Sequence, residues 1–453
     1  MRFSLPGTAT LIASSALLAA CSGEPEPLNP DMVCHVGTYQ FVDGNIIDLG
    51  ALSSDALRWR TMNGETGRIA PGENGQWSGH IGWSERPHPA VFEIAECGSN
   101  TITVSNIDRH EGEATRLAFS VEDTIFENED EFIAGRLVTP QGEGPFPLVV
   151  LVHGSEDYSA LDFYPMQRML PAMGIAVFVY DKRGTGTSGG EYTQDFYLLA
   201  SDAAAAMATA RSLGGDRIGE AGYAGFSQGG WVGPLAASTS DPDFVIAAFG
   251  MAEGALAEDR EEVLFNLAEA GYSDDPEVLA AGRELAEAVG RVMASDFEEG
   301  VEELAALKNQ YQDEPWYDGI RGEFTHEFLA RPIWQVEMAM PFFEAGTSWE
   351  YEPRPTLESL TMPSLWVLGG DDSSAPSANT QVILSELQAD GVPIDVALFP
   401  TADHGIIEYE PGEDGERVSL RYSEGYYALL ADWIRTRQFQ GEYGTAQLTP
   451  RRQ

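Results

Sequence analysis

From about residue 118 to residue 442, short apolar runs alternate with longer segments of helical periodicity. The apolar runs are continuous and bounded by Gly or Pro, a pattern typical of strands that are buried on both faces. They are Leu148–Val152, Ala176–Tyr180, the residues around Tyr223, Phe244–Phe249, Ser364–Leu368 and Asp395–Phe399. The helical segments are Leu161–Met173, Tyr197–Leu213, Thr380–Asp390 and Gly425–Thr436. This alternation predicts an α/β fold with a doubly wound, mostly parallel sheet.

One long stretch, at about residues 253–352, interrupts the alternation. It is rich in Ala, Glu and Leu and has helical patterns at Glu277–Val292 and Phe297–Tyr311. Because predicted strands lie on both sides of it, we expect a helical cap inserted into the sheet domain rather than a separate domain. Its aromatic side chains are expected either to line a pocket or to pack on the sheet. They include Trp316, Phe324, Phe328, Trp334 and Phe342.

The residues before the sheet domain, about 32–117, show no helical periodicity. Runs of β-branched and aromatic residues are separated there by Asp-Gly and Asn-Gly turn signals. The runs are Gly37–Val42, Leu57–Arg60, Ala90–Ile94 and Thr101–Val104. The pattern predicts a small all-β domain, to which we can assign no function, ahead of the domain at 118–442. Residues 443–453 are expected to form a loosely ordered tail.

The first 20 residues are typical of an export signal. Leu11–Ala20 is an apolar run too short to span a bilayer. It ends in Leu18-Ala19-Ala20-Cys21, which resembles a bacterial lipobox, in which the cysteine becomes the lipidated first residue of the mature protein. The alternative is an ordinary secretory signal with a chance cysteine. Since Ser22 follows, the resemblance implies an outer-membrane lipoprotein, periplasmic or on the cell surface, with residues 21–31 as a flexible tether.

The chain has three cysteines. If Cys21 carries a lipid, Cys34 and Cys97 remain. An exported compartment is oxidising, so we expect a disulfide between these two. No metal cluster can be assembled from the cysteines, and no metal or other cofactor is expected.

The formal net charge is −46, from 72 acidic and 26 basic residues. Such a surface repels nucleic acid and anionic lipid headgroups, so neither is expected as an electrostatic partner. The acidity is explained by solubility, for example in a salty habitat. An acidic funnel at an active site is the alternative.

A candidate nucleophile lies in the motif Gly225-x-Ser227-x-Gly229, between a predicted strand and a predicted helix. A serine on such a sharp turn projects its Oγ above the sheet, and only small residues fit two positions away on either side. The helix that begins at Gly229 directs its free N–H groups towards the serine and favours an oxyanion there. The amide of Gln228 is one predicted oxyanion donor.

An activated serine needs a base, and the base needs an acid that orients it. In a doubly wound sheet such groups lie on loops at the carboxyl ends of strands. His404 follows the Asp395–Phe399 strand and is the candidate base, whereas His153 is expected to brace a turn. The acid should follow the Ser364–Leu368 strand, where Asp371 and Asp372 are both candidates.

A second oxyanion donor is expected after the first buried strand, which ends in His153-Gly154-Ser155. The amide of Ser155 is therefore predicted to join that of Gln228. The candidate residues occur along the chain in the order Ser227, Asp372 (or Asp371), His404.

Five motifs in this order resemble the α/β-hydrolase superfamily, over about residues 120–440. They are Leu151–Ser155, Tyr180–Ser188, Gly225–Gly229, Leu368–Asp372 and Asp403–Gly405. The chain is similar to bacterial serine esterases related to dienelactone hydrolases and to acylaminoacyl or prolyl peptidases. That resemblance implies hydrolysis of small-molecule carboxylic esters through an acyl-serine intermediate. In the family the acid commonly stands four residues before a proline, which favours Asp372 over Asp371 because of Pro376.

The sequence leaves three other functions open. The first is a serine peptidase that acts on short peptides, although the β domain is too small for the propeller that prolyl-peptidase relatives usually carry. The second is a thioesterase or acyltransferase that uses coenzyme A, which is scarce outside the cytoplasm. The third is a surface lipoprotein without catalytic activity.

Overall fold

The computed structural model describes residues 28–72, 75–339, 346–412 and 416–452. The predicted signal peptide, Cys21 and most of the predicted tether lie outside the described residues. Within them, no helix combines the length and the apolar character that crossing a bilayer requires.

The first domain is a closed barrel of eight antiparallel strands, so the predicted small all-β domain is confirmed. Its core includes Trp59, Phe92 and Tyr39, all nearly inaccessible to solvent. A short helix, α1 (Pro30–Val33), precedes the barrel, and the predicted Cys34–Cys97 disulfide is formed. The strands are β1 (Gly37–Phe41), β2 (Ile46–Ala51), β3 (Leu57–Thr61), β4 (Thr66–Pro71), β5 (Gln76–Ile81), β6 (Pro87–Ile94), β7 (Thr101–Ser105) and β8 (Gly112–Arg116).

The second domain is built on a nine-stranded sheet. Its strands are β9 (Ser120–Asn128), β10 (Glu131–Thr139), β11 (Phe146–Val152), β12 (Ala176–Tyr180), β13 (Ile218–Phe226), β14 (Phe244–Ala248), β15 (Ser364–Gly369), β16 (Ile394–Phe399) and β19 (Gln447–Thr449). The spatial order is β19-β16-β15-β14-β13-β11-β12-β10-β9. Strands β11 to β16 are parallel to their neighbours within that group, whereas β9, β10 and β19 are antiparallel. The predicted doubly wound, mostly parallel sheet is confirmed.

Helices cover both faces of the sheet, because each buried strand presents apolar side chains on both sides. One face packs against α4 (Phe196–Gly214), α5 (Gly229–Thr239) and α12 (Ser377–Ala389). The other packs against α2 (Ala160–Phe163), α3 (Met166–Ala172) and α13 (Tyr426–Thr436). The sequence predicts one helix at 161–173, whereas the structure has two, α2 and α3, which are separated at Tyr164 and Pro165.

The predicted helical cap is present between β14 and β15. Its helices are α6 (Ala255–Leu267), α7 (Pro276–Ala294), α8 (Val301–Tyr311), α9 (Thr325–Ala330) and α10 (Ile333–Ala339), and α11 (Pro353–Ser359) leads back to the sheet. The cap has its own apolar core, in which Trp316 and Phe328 are buried and against which Phe324 packs. Trp334 is exposed, and Phe342 lies outside the described residues.

The prediction of a loosely ordered tail at 443–453 is wrong for its central part, since β19 pairs with β16 at the edge of the sheet. The Arg451 backbone N–H also donates to the buried carboxylate of Asp395 at 2.6 Å. A strand of three residues is too short to show a periodicity, so the local sequence gives no sign of it.

A hairpin follows the last parallel strand, formed by β17 (Ile407–Pro411) and β18 (Arg417–Tyr422). It contacts the barrel through backbone hydrogen bonds, from Trp83 N to Ser419 O and from Tyr422 N to Gly64 O, both 3.0 Å long. The barrel therefore rests against the loop region that carries His404.

Candidate active site

Ser227 lies at the junction of β13 and α5, in the left-handed region of backbone conformation with φ of 53°. Its N–H donates to Ala248 O at 3.0 Å, and its carbonyl accepts from Gly230 N at 2.7 Å. A Cβ at Gly225 would lie 1.8 Å from the carbonyl oxygen of Gly229, so the turn closes only with glycine there. This strained turn aims the Ser227 hydroxyl away from the sheet.

His404 is held in a short turn directly after β16. The Asp403 carboxylate accepts from the backbone N–H groups of His404 at 2.8 Å and Ser373 at 2.9 Å, and it pairs with Arg417 at 3.0 Å. The ring of Phe249 packs edge-on against the imidazole, with centroids 5.1 Å apart. In this position His404 Nε2 lies 3.0 Å from Ser227 Oγ.

Asp372 approaches the other side of the imidazole. Each of its carboxylate oxygens lies 3.1 Å from His404 Nδ1, and the residue is 1% exposed. The backbone N–H groups of Ser374 and Ala375 also donate to it, which fixes its orientation. Of the two predicted acids, the structure brings Asp372 to His404; the neighbouring Asp371 uses its backbone carbonyl to accept from Arg417.

The surroundings of His404 favour its protonated form. Burial opposes protonation, but the negative charge of Asp372 and its hydrogen bond, with the charges of Asp403 and Glu323, outweigh that effect, and the pKa of His404 is raised. An imidazole of raised pKa accepts a proton readily, as a general base must.

The two predicted oxyanion donors belong to segments next to Ser227. Gln228 is the N-cap residue of α5, so its N–H is among the groups at the helix start that have no partner within the helix. Ser155 follows Gly154, at which a Cβ would lie 3.4 Å from Ser227 Cβ. In the described part of the chain, neither amide has an acceptor. Both are therefore available to an oxyanion beside Ser227.

His153 has the bracing role that its position predicts. Its Nε2 is hydrogen bonded to the carbonyl of Tyr180, and burial together with the positive charge of Lys182 lowers its pKa to about 3. The ring is therefore neutral, with the proton on Nε2 donated to that carbonyl. His153 lies 4% exposed under the loop that carries Ser155.

The motif at 180–188 also folds into a brace. The buried Asp181 carboxylate accepts from Ser159 Oγ at 2.8 Å and from the N–H groups of Leu161 and Thr187, each at 3.0 Å. Arg183 donates to both oxygens of the buried Asp202, at 2.7 and 2.6 Å. These contacts fix the loop that packs behind the Gly154–Ser155 peptide.

Three cap carboxylates that sequence reasoning missed belong to Glu258, Glu262 and Glu323. Burial, followed by the negative charge of Glu323, raises the pKa of Glu258 well above its usual range and that of Glu262 to about 9, and the charges of Asp259 and Asp372 act in the same direction. Burial and the Asp259 charge raise the pKa of Glu323, whereas His404 acts in the opposite direction. In a chain with 72 acidic residues, no sequence signal distinguishes these three.

Potential metal ligands cluster at one place in the described residues, where Cys34, His35 and Cys97 meet. The two sulfur atoms are joined to each other in the disulfide and are not thiolate ligands.

The topology now defines the fold. Ser227, Asp372 and His404 follow β13, β15 and β16, whose carboxyl ends meet at one edge of a doubly wound sheet, and a helical cap is inserted after β14. The family model that matches the chain is described as "Serine aminopeptidase, S33" and covers residues 143–253. The chain has the α/β-hydrolase fold. The matched part of this hydrolase domain includes Ser155, Ser227 and Gln228.

Several solved structures resemble the chain at low sequence identity. An esterase of Pyrococcus furiosus is 15% identical, over 63% of this chain and 84% of that one, with a TM-score of 0.40. An acylaminoacyl peptidase of Pyrococcus horikoshii is 14% identical, over 88% and 62%, with a TM-score of 0.43. A proline iminopeptidase of Mycobacterium smegmatis is 16% identical, over 69% and 98%, with a TM-score of 0.39. No curated protein matches the sequence.

Proposed function

We propose that this protein is a serine hydrolase that cleaves carboxylic esters of small molecules through an acyl-serine intermediate. One observation carries the proposal: Ser227 Oγ, the His404 imidazole and the Asp372 carboxylate form a continuous hydrogen-bonded relay, with distances of 3.0 and 3.1 Å. A nucleophile, its base and an orienting acid in this order are the groups that acyl transfer requires.

In the proposed reaction, Ser227 Oγ attacks the acyl carbon of the ester while its proton passes to His404 Nε2. The carbonyl oxygen becomes an oxyanion that accepts hydrogen bonds from the Ser155 and Gln228 amides. The imidazolium, stabilised by Asp372, then gives its proton to the departing alkoxide, and the alcohol leaves. A water molecule repeats the attack on the acyl-serine, releases the carboxylic acid and restores Ser227.

Hydrolysis of p-nitrophenyl acetate and butyrate tests the proposal, with Ser227→Ala as the critical variant. Ser227→Ala should fold normally, lose turnover and no longer react with a fluorophosphonate probe. Ser238→Ala is the matched control, because Ser238 lies on the same helix and its hydroxyl donates only to Leu235 O at 2.7 Å. Unchanged probe labelling in Ser227→Ala would remove this residue from the role of nucleophile.

A second candidate function, hydrolysis of short peptides, is favoured by the carboxylates of Glu258, Glu262 and Glu323 beside the relay. Glu262 Oε2 is buried without a hydrogen-bond partner among the described residues. Buried carboxylates of this kind are stabilised by a cation, and the ammonium group of a free peptide N-terminus is one. The matched family model is described as an aminopeptidase.

Aminoacyl p-nitroanilides, with and without an acetylated amino group, separate the two functions. A peptidase of this kind should cleave the free amine faster than the acetylated substrate, and Glu262→Gln should reduce that preference. An esterase should turn over p-nitrophenyl butyrate and leave both anilides intact.

We further propose that the protein is exported and attached to the outer membrane through a lipid on Cys21. The proposal rests on the lipobox-like sequence alone, which lies outside the described residues. Replacing Cys21 by Ala should move the protein from the membrane fraction to the soluble fraction. An unaltered distribution between the two fractions would refute the lipid anchor.

A further inference from the structure

One charged side chain contacts the loop that carries the second proposed oxyanion donor. Lys182 is 2% exposed, and its Nζ donates a hydrogen bond to the carbonyl oxygen of Gly154 at 2.9 Å. That oxygen and the N–H of Ser155 belong to the same peptide group. In a planar trans peptide the C=O and N–H bonds point in opposite directions, so a group that fixes the carbonyl also fixes the amide.

We propose that Lys182 is a positioning residue of the oxyanion site, which aims and polarises the Gly154–Ser155 peptide so that the Ser155 N–H donates to the oxyanion. The inference rests on the proposed hydrolase function. The ammonium group draws electron density towards the carbonyl oxygen and leaves the N–H more positive. A hydrogen bond to an ionised donor is about twice as strong as a neutral one, so the effect on the peptide is large.

The pocket around Lys182 is adapted to a buried ammonium group. The Tyr192 ring lies 4.6 Å from Nζ in a cation–π contact, and the negative charges of Glu156 and Asp157 favour the charged form. The chain has 26 basic residues, of which two are lysines and the others are arginines. Position 182 has one of the two lysines, whereas the next position has an arginine, Arg183. A compact ammonium group donates to a single carbonyl oxygen where a planar guanidinium needs more room.

Other side chains hold the rest of the loop at 153–156. Tyr192 donates its hydroxyl hydrogen to the carbonyl of Ser155 and accepts from Gln194 Nε2 at 3.0 Å. His153 donates to the carbonyl of Tyr180 and is neutral. Tyr164 donates to the carboxylate of Glu156, two residues after Gly154. Among the groups that hold the loop, Lys182 therefore supplies the positive charge.

A pH effect follows from the same contacts. Burial lowers the pKa of Lys182 to about 8, although Glu156 and Asp157 act in the opposite direction. The ammonium group is therefore lost as the pH rises through about 8. We expect kcat to decline on the alkaline side, because the polarised peptide acts in the transition state more than in substrate binding.

The test compares Lys182→Met and Lys182→Gln with the wild type on p-nitrophenyl butyrate. Lys182→Met should lower kcat about 10- to 100-fold with KM nearly unchanged, since deletion of an entire oxyanion donor typically costs about 100- to 1,000-fold. Lys182→Gln keeps a neutral donor and should lose less. The alkaline decline should be absent from both variants. Lys308→Met is the matched control, because Lys308 also donates to backbone carbonyls but lies in the cap.

Each outcome decides a different point. Without Ser227-dependent turnover by the wild type, the proposed function itself fails. If the wild type is active and Lys182→Met matches it in kcat, or keeps the alkaline decline, the role of Lys182 is refuted. A loss expressed in KM alone also refutes it. If Lys182→Met does not fold, the same comparison is made with Lys182→Gln. Independently of the variants, a wild-type kcat that stays flat from pH 7 to pH 10 overturns the inference.

Discussion

The carboxylate of Asp48 accepts two hydrogen bonds from the guanidinium of Arg168, at 2.7 and 2.9 Å. Asp48 lies on strand β2 of the barrel and is 1% exposed, whereas Arg168 lies on helix α3 of the hydrolase domain. Arg60 of the barrel approaches the same carboxylate at 3.5 Å. A buried, two-pronged ion pair between domains fixes their relative orientation, because any rotation would leave a buried charge without its partner.

Removal of this pair should destabilise the protein markedly. Among the described residues, Arg168→Ala leaves the buried Asp48 carboxylate with Arg60 and a hydrogen bond from Thr38, and losses of about 3 kcal/mol in the free energy of unfolding are typical. Arg86→Ala is the control, because Arg86 also joins the barrel to the hydrolase domain, through an exposed pair with Glu410 at 2.8 Å. Exposed pairs contribute about 0–1 kcal/mol. Urea denaturation of both variants measures the difference, and equal midpoints would contradict the assignment.

Replacing each candidate acid by Asn in turn should show that kcat depends on Asp372 and not on Asp371. Asp372→Asn keeps the shape of the side chain but favours the wrong imidazole tautomer, and in serine proteases the equivalent change lowers kcat about 10⁴-fold. Asp371→Asn should stay within roughly tenfold, since Asp371 contacts Arg417 through its backbone carbonyl, which the substitution keeps. Steady-state kinetics on p-nitrophenyl butyrate compare the two. The reverse ranking would transfer the role of the acid to Asp371.

The sequence allows the approach of Ser227, Asp372 and His404 to be predicted, because each follows an apolar run that is typical of a buried strand. Parallel strands place their carboxyl ends at one edge of the sheet. Local sequence patterns therefore predict that side chains far apart in the sequence lie close together in the fold. The choice between Asp371 and Asp372 depends on one residue of register, which local patterns do not specify. The structure brings Asp372 to His404 through hydrogen bonds from Ser374 and Ala375.

Other features depend on contacts between distant segments and leave no local pattern. The barrel closes by pairing β1 with β8, about which neither strand's own sequence is informative. Strand β19 exists because β16 offers it an open edge. Lys182 acquires its significance from a carbonyl 28 positions earlier in the chain. In these cases the tertiary fold, rather than the pattern of apolar positions, determines the role of the residue.

The pH dependence on the acid side should follow His404. The base acts in its neutral form, so kcat/KM should rise with pH as it passes the raised pKa of His404, above the ordinary value of 6.5. The negative charge of Glu323 helps to raise the pKa of His404. Glu323→Gln should therefore move the acid limb of the kcat/KM profile to lower pH. Glu302→Gln, an exposed cap residue, should leave the limb in place. A limb that does not move in Glu323→Gln would show that this carboxylate does not act on the imidazole.

The turn that carries Ser227 provides a final prediction, which concerns two glycines of strand β13. A Cβ at Gly225 would lie 1.8 Å from the Gly229 carbonyl oxygen and 3.2 Å from its Cα, so Gly225→Ala must force strand and helix apart. Overpacking of this kind typically costs about 1–3 kcal/mol, and here it also displaces the nucleophile. At Gly219 of the same strand the nearest atom would lie 3.5 Å away, an ordinary contact.

We therefore expect Gly225→Ala to lower the urea midpoint and to lose both ester hydrolysis and fluorophosphonate labelling of Ser227. Gly219→Ala should retain full labelling, with a midpoint equal to that of the wild type or slightly higher, because alanine reduces the freedom of the unfolded chain. The comparison holds residue type and strand constant and changes only the distance to the neighbouring backbone. If Gly225→Ala remained stable and reacted with the probe at the wild-type rate, the close approach of strand and helix would not be what holds Ser227 in position.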